Sequence, residues 1–190
     1  MMDLVPTKVF LTRGQGAHKE KLVSFEIALR QAGIAPFNLV RVSSIFPPHC
    51  RIISKAAGLK LLDPGQILFV VLSENATDEP GALISASIGM AVPDDPSRYG
   101  YLAEHSAEGR SARATSLHTE YLAAEMLATK LGERLKEPGP GKLPKSFRIS
   151  NGLSLKTRSA TQSAKGRSGL WTTALAAAVL ILPISPADRA

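Results

Sequence analysis

The sequence predicts a single α/β domain built from mixed layers of sheet and helix. Three observations support this fold class. The chain has 190 residues, enough to bury one core, with 44% apolar and 21% charged side chains. Strand-like and helix-like patterns follow in the order strand, helix, strand, several further strands, a long helix and more strands. No internal repeat interrupts that order, so residues 1–190 are expected to form one domain.

The first predicted elements are a strand and an amphipathic helix. Residues 8–13 alternate like a short strand, and residues 14–21, GQGAHKEK, read as a loop without the pattern of a phosphate-binding loop. Residues 18–32 then show helical spacing that ends at Gly33. The residues predicted to form the apolar face of this helix are Leu22, Phe25, Leu29 and Ala32.

Glu26 lies within the apolar face of this helix, where an unpaired carboxylate is costly to bury. Two interpretations are open at this point. Glu26 pairs with Arg30 one turn later, which stabilises a helix by only a few tenths of a kcal/mol. Alternatively, its carboxylate lines a pocket for a cationic ligand.

Four strands are predicted in the middle of the chain, at residues 37–44, 66–73, 82–93 and 99–106. The third carries small side chains, which allow close approach between packed sheets or subunits. The fourth carries Glu104.

The longest helical pattern covers residues 111–136, and Gly132 is a candidate for an earlier end. Its apolar positions are Leu117, Tyr121, Leu122, Met126, Leu127 and Leu131. A Pro/Gly-rich surface loop is expected at 137–146. An Asn-Gly pair between two alternating segments predicts a hairpin over 147–159, and residues 160–169 read as a polar loop.

The C-terminal run GLWTTALAAAVLILPI, residues 169–184, is almost continuously apolar. A membrane-spanning helix needs about 20 such residues, and this run is shorter and contains two threonines. A strand buried on both faces has the same continuous pattern. The run is therefore predicted to be a central strand, and no membrane partner is expected.

Charge and cysteine content limit the classes of protein. The formal net charge is +7, and residues 134–190 alone carry ten basic and two acidic side chains. Such a tail can bind nucleic acid through its phosphates, but no nucleic-acid-binding motif accompanies it, so a solvated basic surface is expected. A single cysteine, Cys50, excludes a disulfide framework and fits a cytoplasmic protein. The N-terminus lacks the pattern of a secretory signal.

Several common catalytic arrangements find no support. No Gly-x-Ser-x-Gly motif surrounds a serine of the 43–44 pair, and there is no dinucleotide-binding fingerprint. The histidines show no metal-ligand spacing, and Cys50 is too isolated for a zinc site, so no metal is expected. These histidines, which are interpreted as surface or structural residues, are His18, His49, His105 and His118.

The stretch RVSSIFPPHC places Ser43 and Ser44 side by side, shortly before two prolines. The simplest interpretation is a turn. A second interpretation is chemistry on the backbone, in which a serine hydroxyl attacks the preceding carbonyl and converts the amide to an ester. Elimination then breaks the chain and leaves dehydroalanine, which loses ammonia to give a pyruvoyl group. Such a ketone condenses with an amine and accepts electrons, as pyridoxal phosphate does.

The sequence resembles the pyruvoyl-dependent arginine decarboxylases over most of its length, from about residue 8 to 182. The matching stretches are ALRQAGI followed by NLVRVSSIFPP, PGALISASIGMAVP, YGYLAEHSAEG, EYLAAEMLATKLG and KTRSATQSAKGRSGLWTTALAAAV. Each stretch is weak by itself, and their combination in this order is specific.

The resemblance implies cleavage between Ser43 and Ser44, with Ser44 as the precursor of a covalently bound pyruvoyl group. Residues 1–43 would become a β chain and residues 44–190 an α chain. Asn38 matches the family asparagine near the scissile peptide, where its amide is expected to stabilise the developing oxyanion during self-processing.

The resemblance also implies residue roles in catalysis. Glu104 matches the proton donor, although it is followed by His105, which departs from the family pattern. Glu26 stands where related sequences can carry an aspartate that faces the substrate guanidinium, and a carboxylate pairs well with that group. This favours the pocket interpretation of Glu26. Glu26 and Ser43 are the expected substrate-binding residues.

The resemblance further implies a layered αββα sandwich with mixed and antiparallel sheets, assembled as a trimer with active sites between subunits. The expected reaction converts L-arginine to agmatine and carbon dioxide through a Schiff base, without pyridoxal phosphate or metal, and feeds polyamine synthesis. The alternatives are another amino-acid substrate, a trimeric relative that never cleaves itself, and a nucleic-acid binder that uses the basic tail.

Overall fold

A computed structural model describes residues 4–136 and 146–183 of the chain. Its strands are β1 Lys8–His18, β2 Asn38–Arg41, β3 Ile45–Phe46, β4 Arg51–Ile52, β5 Ile67–Thr77, β6 Leu83–Pro93, β7 Gly100–Glu108, β8 Leu135–Lys136, β9 Ser146–Ile149, β10 Ser154–Lys165 and β11 Trp171–Ile181. Its helices are α1 Lys21–Ala32, α2 Lys55–Leu59 and α3 Ala112–Lys130. The sequence patterns did not predict α2 or the two-residue strands β3, β4 and β8.

The strands form two sheets that stack face to face. The first sheet has the order β2-β5-β11-β1-β4 and carries α1 on its outer face. The second has the order β3-β7-β6-β10-β9-β8 and carries α3 on its outer face. Separate apolar clusters fill the space under α1, the space between the sheets and the space under α3. This arrangement confirms the predicted layered αββα sandwich.

Strand β11 is the centre of the first sheet and pairs antiparallel with both β1 and β5. Residues 172–181 are all buried, because α1 covers one face of the strand and the second sheet covers the other. The prediction of a central strand is confirmed, with ends at Trp171 and Ile181. Among the described residues, no helix is long and apolar enough to cross a membrane.

Strand β1 runs to His18, so the prediction of a loop from residue 14 was wrong. The glycines of β1 indicate a loop in the sequence, but in the structure they allow close packing against α1. A Cβ added at Gly14 would lie 2.1 Å from the carbonyl oxygen of Ala28, and one at Gly16 would lie 2.2 Å from that of Ser24. The strand uses glycine here so that α1 can rest directly on its backbone.

The inward face of α1 differs partly from its prediction. Leu29 and Ala32 are buried and Phe25 packs against the core, but Leu22 is 78% exposed. Ser24 is buried in its place, and its Oγ lies 2.7 Å from Oγ1 of Thr173 on β11. A hydroxyl with a partner can occupy a buried position at low cost, and apolar spacing cannot reveal such a residue.

Helix α3 ends at Lys130 rather than at residue 136, and Gly132, with φ of 72°, closes it as the alternative prediction expected. Ser111 caps the start of the helix, because its Oγ accepts a hydrogen bond from the Ala114 N–H at 3.2 Å. It packs closely on β6, where a Cβ at Gly89 would lie 2.3 Å from the Thr119 carbonyl oxygen.

Strand β10 pairs with β6 from Leu155 to Lys165, so the predicted polar loop at 160–169 was wrong over its first six residues. Its polar side chains belong to the sheet, since Thr161 Oγ1 lies 2.7 Å from Ser87 Oγ. The hairpin of β9 and β10, with Gly152 at φ of 89° in its turn, is confirmed. The predicted surface loop at 137–146 lies outside the described residues except for Ser146, which opens β9.

Candidate active site

The chain crosses from the first sheet to the second at residues 42–44. Strand β2 ends at Arg41 on the edge of the first sheet, and β3 begins at Ile45 on the edge of the second. Neither Ser43 nor Ser44 belongs to a strand, and Ser43 is exposed while Ser44 is half-buried. The peptide bond between the two serines thus lies in a two-sheet crossing that is accessible to solvent.

Backbone hydrogen bonds hold the chain on both sides of this peptide bond. Upstream, the Val42 N–H donates to the Val70 carbonyl oxygen at 3.0 Å, which ties the chain to the first sheet. Downstream, the Leu102 N–H donates to the Ser44 carbonyl oxygen at 2.7 Å, which ties it to the second. The two ends of the crossing are therefore anchored on different sheets.

The prolines that follow lead into a tight turn. Pro47 is buried, and His49 adopts a positive φ of 57° while its N–H donates to the Pro96 carbonyl oxygen at 2.8 Å.

Burial raises the pKa of Cys50 to about 12, against the opposing effect of Lys8. The Cys50 thiol therefore stays protonated at neutral pH and is a poor nucleophile. No group of three potential metal-ligating side chains occurs within residues 4–136 and 146–183.

Glu104 lies on β7, the strand that pairs with β3 next to the serines. It is two residues beyond Leu102, so it shares a strand face with Leu102 at a spacing of about 6–7 Å. Its exposed side chain lines a cavity of about 200 Å³, together with Arg41 and Glu74. Arg41 Nη2 and Glu74 Oε2 form an ion pair at 2.6 Å. The Glu104 carboxylate thus lies close to the crossing.

His105 follows Glu104 and points to the opposite side of β7, toward α3. Its ring meets that of His118 edge to face at a centroid distance of 4.8 Å. Burial lowers the pKa of His105, and the nearby His118 and Arg110 lower it further. Its buried Nε2 has no hydrogen-bond partner among the described residues. His105 therefore lies on the α3 side of β7, away from the side chain of Glu104.

Glu26 accepts a hydrogen bond from Arg30 Nε at 3.1 Å, as the first interpretation of this residue expected. Its side chain is 40% exposed. The neighbouring Phe25 lines a groove of about 630 Å³ that also contains Arg41 and Glu74. Glu26 is not one of the residues that line this groove, so its role in substrate binding stays a prediction.

Asn38 lies at the start of β2, and its Nδ2 donates to the Gly65 carbonyl oxygen at 2.8 Å. Asn38 and Ser43 are five positions apart along a largely extended chain, a span of about 16 Å. One chain therefore brings Ser44 and Glu104 close together and leaves Asn38 apart from the peptide bond between the serines. The oxyanion role of Asn38 stays a prediction.

Comparison with known proteins identifies the family. The family model for pyruvoyl-dependent arginine decarboxylase matches residues 8–183. This range includes β2, β3 and the crossing between them that contains Ser43 and Ser44. The chain belongs to the pyruvoyl-dependent arginine decarboxylase family.

Curated relatives align with this family member over nearly their full length. A protein of Chlorobium limicola named "Probable pyruvoyl-dependent arginine decarboxylase" is 51% identical over 180 residues, which cover 95% of this chain and 99% of the relative. Proteins named "Pyruvoyl-dependent arginine decarboxylase" from Nitrosopumilus maritimus and Methanococcoides burtonii are 47% and 45% identical. They cover 96% and 94% of this chain and are themselves covered completely.

The residues of this family member fit a pyruvoyl group formed at Ser44. The peptide bond before Ser44 is outside the strands, its upstream residue is exposed, and a backbone N–H already holds the carbonyl that would flank the ketone. Arg41 and Glu74 line the cavity beside Glu104 as an ion pair, and the sequence patterns did not single them out. Arg41 stands two residues before Ser43, and its position there was the one signal that pointed to it.

Proposed function

We propose that this chain is a self-processing, pyruvoyl-dependent decarboxylase that converts L-arginine to agmatine and carbon dioxide. The observation that carries the proposal is the family match over residues 8–183, which includes the Ser43–Ser44 crossing and Glu104. A supply of agmatine would feed polyamine synthesis in the cytoplasm.

In self-processing, the Ser44 hydroxyl attacks the Ser43 carbonyl carbon, and the resulting ester is cleaved by elimination. The fold is suited to survive this cut. The fragment 1–43 contributes β1, which is paired with β11 over eleven positions, and α1, which packs on both strands. The fragment 44–190 contributes most of the remaining strands of both sheets. The two fragments therefore stay joined by sheet hydrogen bonds and a shared core.

When present, the pyruvoyl group supplies a ketone that condenses with the substrate amine and accepts the electron pair released with carbon dioxide. The chain's own residues then act around it. Glu104 lies two residues along β7 from Leu102, whose N–H contacts the Ser44 carbonyl oxygen. It delivers a proton to the former Cα of the substrate. The Leu102 N–H keeps the Ser44 carbonyl in place.

Glu26 binds the substrate guanidinium, with Ser43 close to the reacting end of the substrate. The paired hydrogen bonds between a carboxylate and a guanidinium favour arginine over neutral amino acids. Within one chain, the Glu26 carboxylate pairs with Arg30, and the Asn38 amide donates to the Gly65 carbonyl oxygen. A trimer with active sites between subunits would let a neighbouring copy supply the missing side chains.

Denaturing gel electrophoresis with intact mass analysis tests the proposal. The purified chain should separate into fragments 1–43 and 44–190, and the larger should carry a ketone in place of a free amine. Carbon dioxide release over a panel of amino acids then tests the substrate. A chain that stays intact after long incubation would favour a non-catalytic trimeric relative, and preference for a neutral amino acid would overturn the arginine assignment.

A further inference from the structure

We infer that the backbone N–H of Leu102 is an oxyanion donor in the elimination step that generates the pyruvoyl group from Ser44. The inference rests on the self-processing proposed above. It assigns the Leu102 amide to a second developing charge, distinct from the charge on the Ser43 carbonyl that Asn38 is expected to stabilise.

The geometry places this donor on one particular oxygen. The Leu102 N–H donates to the Ser44 carbonyl oxygen at 2.7 Å, which is shorter than the usual 2.9–3.0 Å of a backbone hydrogen bond. The pairing of Ile45 with Tyr101 and of Phe46 with Gly100 continues the same register one step further. Phe46 is buried at 3% exposure and anchors this short strand in the core. The hydrogen bond is thus built into the uncut chain.

The chemistry of elimination requires charge on that oxygen. In the ester, the Ser44 amine is free and its Oγ carries the acyl group of Ser43. Loss of the Ser44 Hα to water leaves an electron pair that delocalises onto the Ser44 carbonyl oxygen as an enolate. The pair then forms the Cα–Cβ double bond while the Cβ–Oγ bond breaks, which releases the Ser43 carboxylate and leaves dehydroalanine. Tautomerisation and hydrolysis by water release ammonia and leave the ketone.

A fixed donor on an oxygen that gains charge is a strong catalytic device because it needs no reorganisation. The first step of processing develops charge on the Ser43 carbonyl instead. Loss of the Leu102 N–H should therefore slow elimination selectively, and the ester should accumulate.

Backbone amide-to-ester replacement at Leu102 tests this inference. Incorporation of the α-hydroxy analogue of leucine removes the N–H and keeps the side chain. The matched control is the same replacement at Ala103, whose N–H points toward β6 because successive amides of a strand alternate in direction. Each replacement removes one backbone hydrogen bond, at a similar cost in stability. Processing is followed by gel and intact mass, and the ester is trapped with hydroxylamine.

The Leu102 replacement should slow appearance of the ketone-bearing fragment about 100-fold, by analogy with loss of a single oxyanion donor. Hydroxylamine should then cut the variant after Ser43 and yield a larger fragment that begins with an intact serine at position 44. The Ala103 control should process like the native chain. Equal processing rates at both positions with no trapped ester would overturn this inference alone, whereas a native chain that never cleaves would overturn the proposed function as well.

A second measurement does not depend on how the ester variants fold. In an isotope-labelled chain with Ser44→Ala, which lacks the attacking hydroxyl, nuclear magnetic resonance should detect scalar coupling across the hydrogen bond from the Leu102 nitrogen to the carbonyl carbon at position 44. Absence of this coupling would overturn the inference.

Discussion

Two regions of the first sheet have opposite designs. Where α1 lies on β1, Gly14 and Gly16 bring backbone onto backbone, and no room remains for a side chain. Where β2 leaves the sheet, Ser43 is exposed between the two sheets, and backbone hydrogen bonds of Val42 and Ser44 hold the chain on either side of it. Packing makes the first region important for stability, and accessibility makes the second region suitable for chemistry. Substitutions in the two regions should therefore have separable effects.

Replacement of Ser44 by alanine should have the largest effect on function. Ser44→Ala removes the attacking hydroxyl, so the chain should remain uncut and carbon dioxide release from arginine should fall to background. The far-UV circular dichroism should be unchanged, because Ser44 lies outside the strands. Ser43→Ala is the control, since it keeps the attacking hydroxyl and should still be cleaved. Cleavage of the Ser44→Ala chain would contradict the assignment of the nucleophile.

Replacement of Glu104 by glutamine should separate processing from turnover. Loss of a general acid typically costs about 10²- to 10⁴-fold in rate, so Glu104→Gln should lower kcat by that range while both fragments still form. Glu108→Gln provides a control on the same exposed strand end and should leave kcat near native. If Glu104→Gln blocked cleavage instead, the carboxylate would belong to self-processing rather than to protonation.

A single added methyl group at Gly14 should test the packed region. Because the new Cβ would meet the Ala28 carbonyl oxygen at 2.1 Å, backbone must move, and overpacking of this kind costs about 3 kcal/mol. Urea unfolding of the Ser44→Ala background measures this loss without interference from cleavage. Gly109→Ala, which meets no atom within 4 Å and has φ of 67°, should cost only about 1 kcal/mol for its left-handed backbone. If both variants lost the same free energy of unfolding, contact with α1 would not be the cause.

Replacement of Glu26 by alanine should mainly weaken substrate binding. A hydrogen bond to a charged group contributes about 1.5–3 kcal/mol, so Glu26→Ala should raise KM for arginine about tenfold or more with a smaller change in kcat. The control is Arg30→Ala, which removes the intrahelical partner of Glu26 and leaves its carboxylate free. A similar rise in KM for both variants would attribute the effect to α1 rather than to substrate recognition.

The smallest expected effect is a pH dependence of stability at His105, on the side of β7 that faces α3. Its pKa in the folded chain lies below its ordinary value of 6.5, chiefly because of burial. The unfolded chain therefore binds the proton more readily, and the free energy of unfolding should fall as pH falls below about 6.5. In urea unfolding, His105→Gln should lose less free energy of unfolding between pH 7.5 and 5.5 than the native chain does. An identical loss in native and variant chains would contradict this.

The predictions that were wrong for β1, α1 and β10 share one physical origin. Glycines in β1 and hydroxyls in β10 were interpreted as loop residues, although the glycines accommodate a helix and Thr161 meets Ser87 across the second sheet. Residue type indicates whether a side chain favours solvent or a turn. Contacts with residues distant in sequence can override that preference. The prediction that Leu22 lies on the apolar face of α1 was wrong for a similar reason. Ser24 occupies the buried position instead, because its hydroxyl has a partner in Thr173.

The sequence by itself determined the parts that depend on local order. Continuous apolar character identified β11, the Asn-Gly pair identified the hairpin, and the order of motifs identified the family and its paired serines. Only the tertiary structure showed that the bond between these serines spans two sheets, that Leu102 holds the Ser44 carbonyl and that Glu26 pairs with Arg30. These features depend on contacts between residues distant in sequence or on the orientation of side chains, and such geometry exists only after the chain has folded.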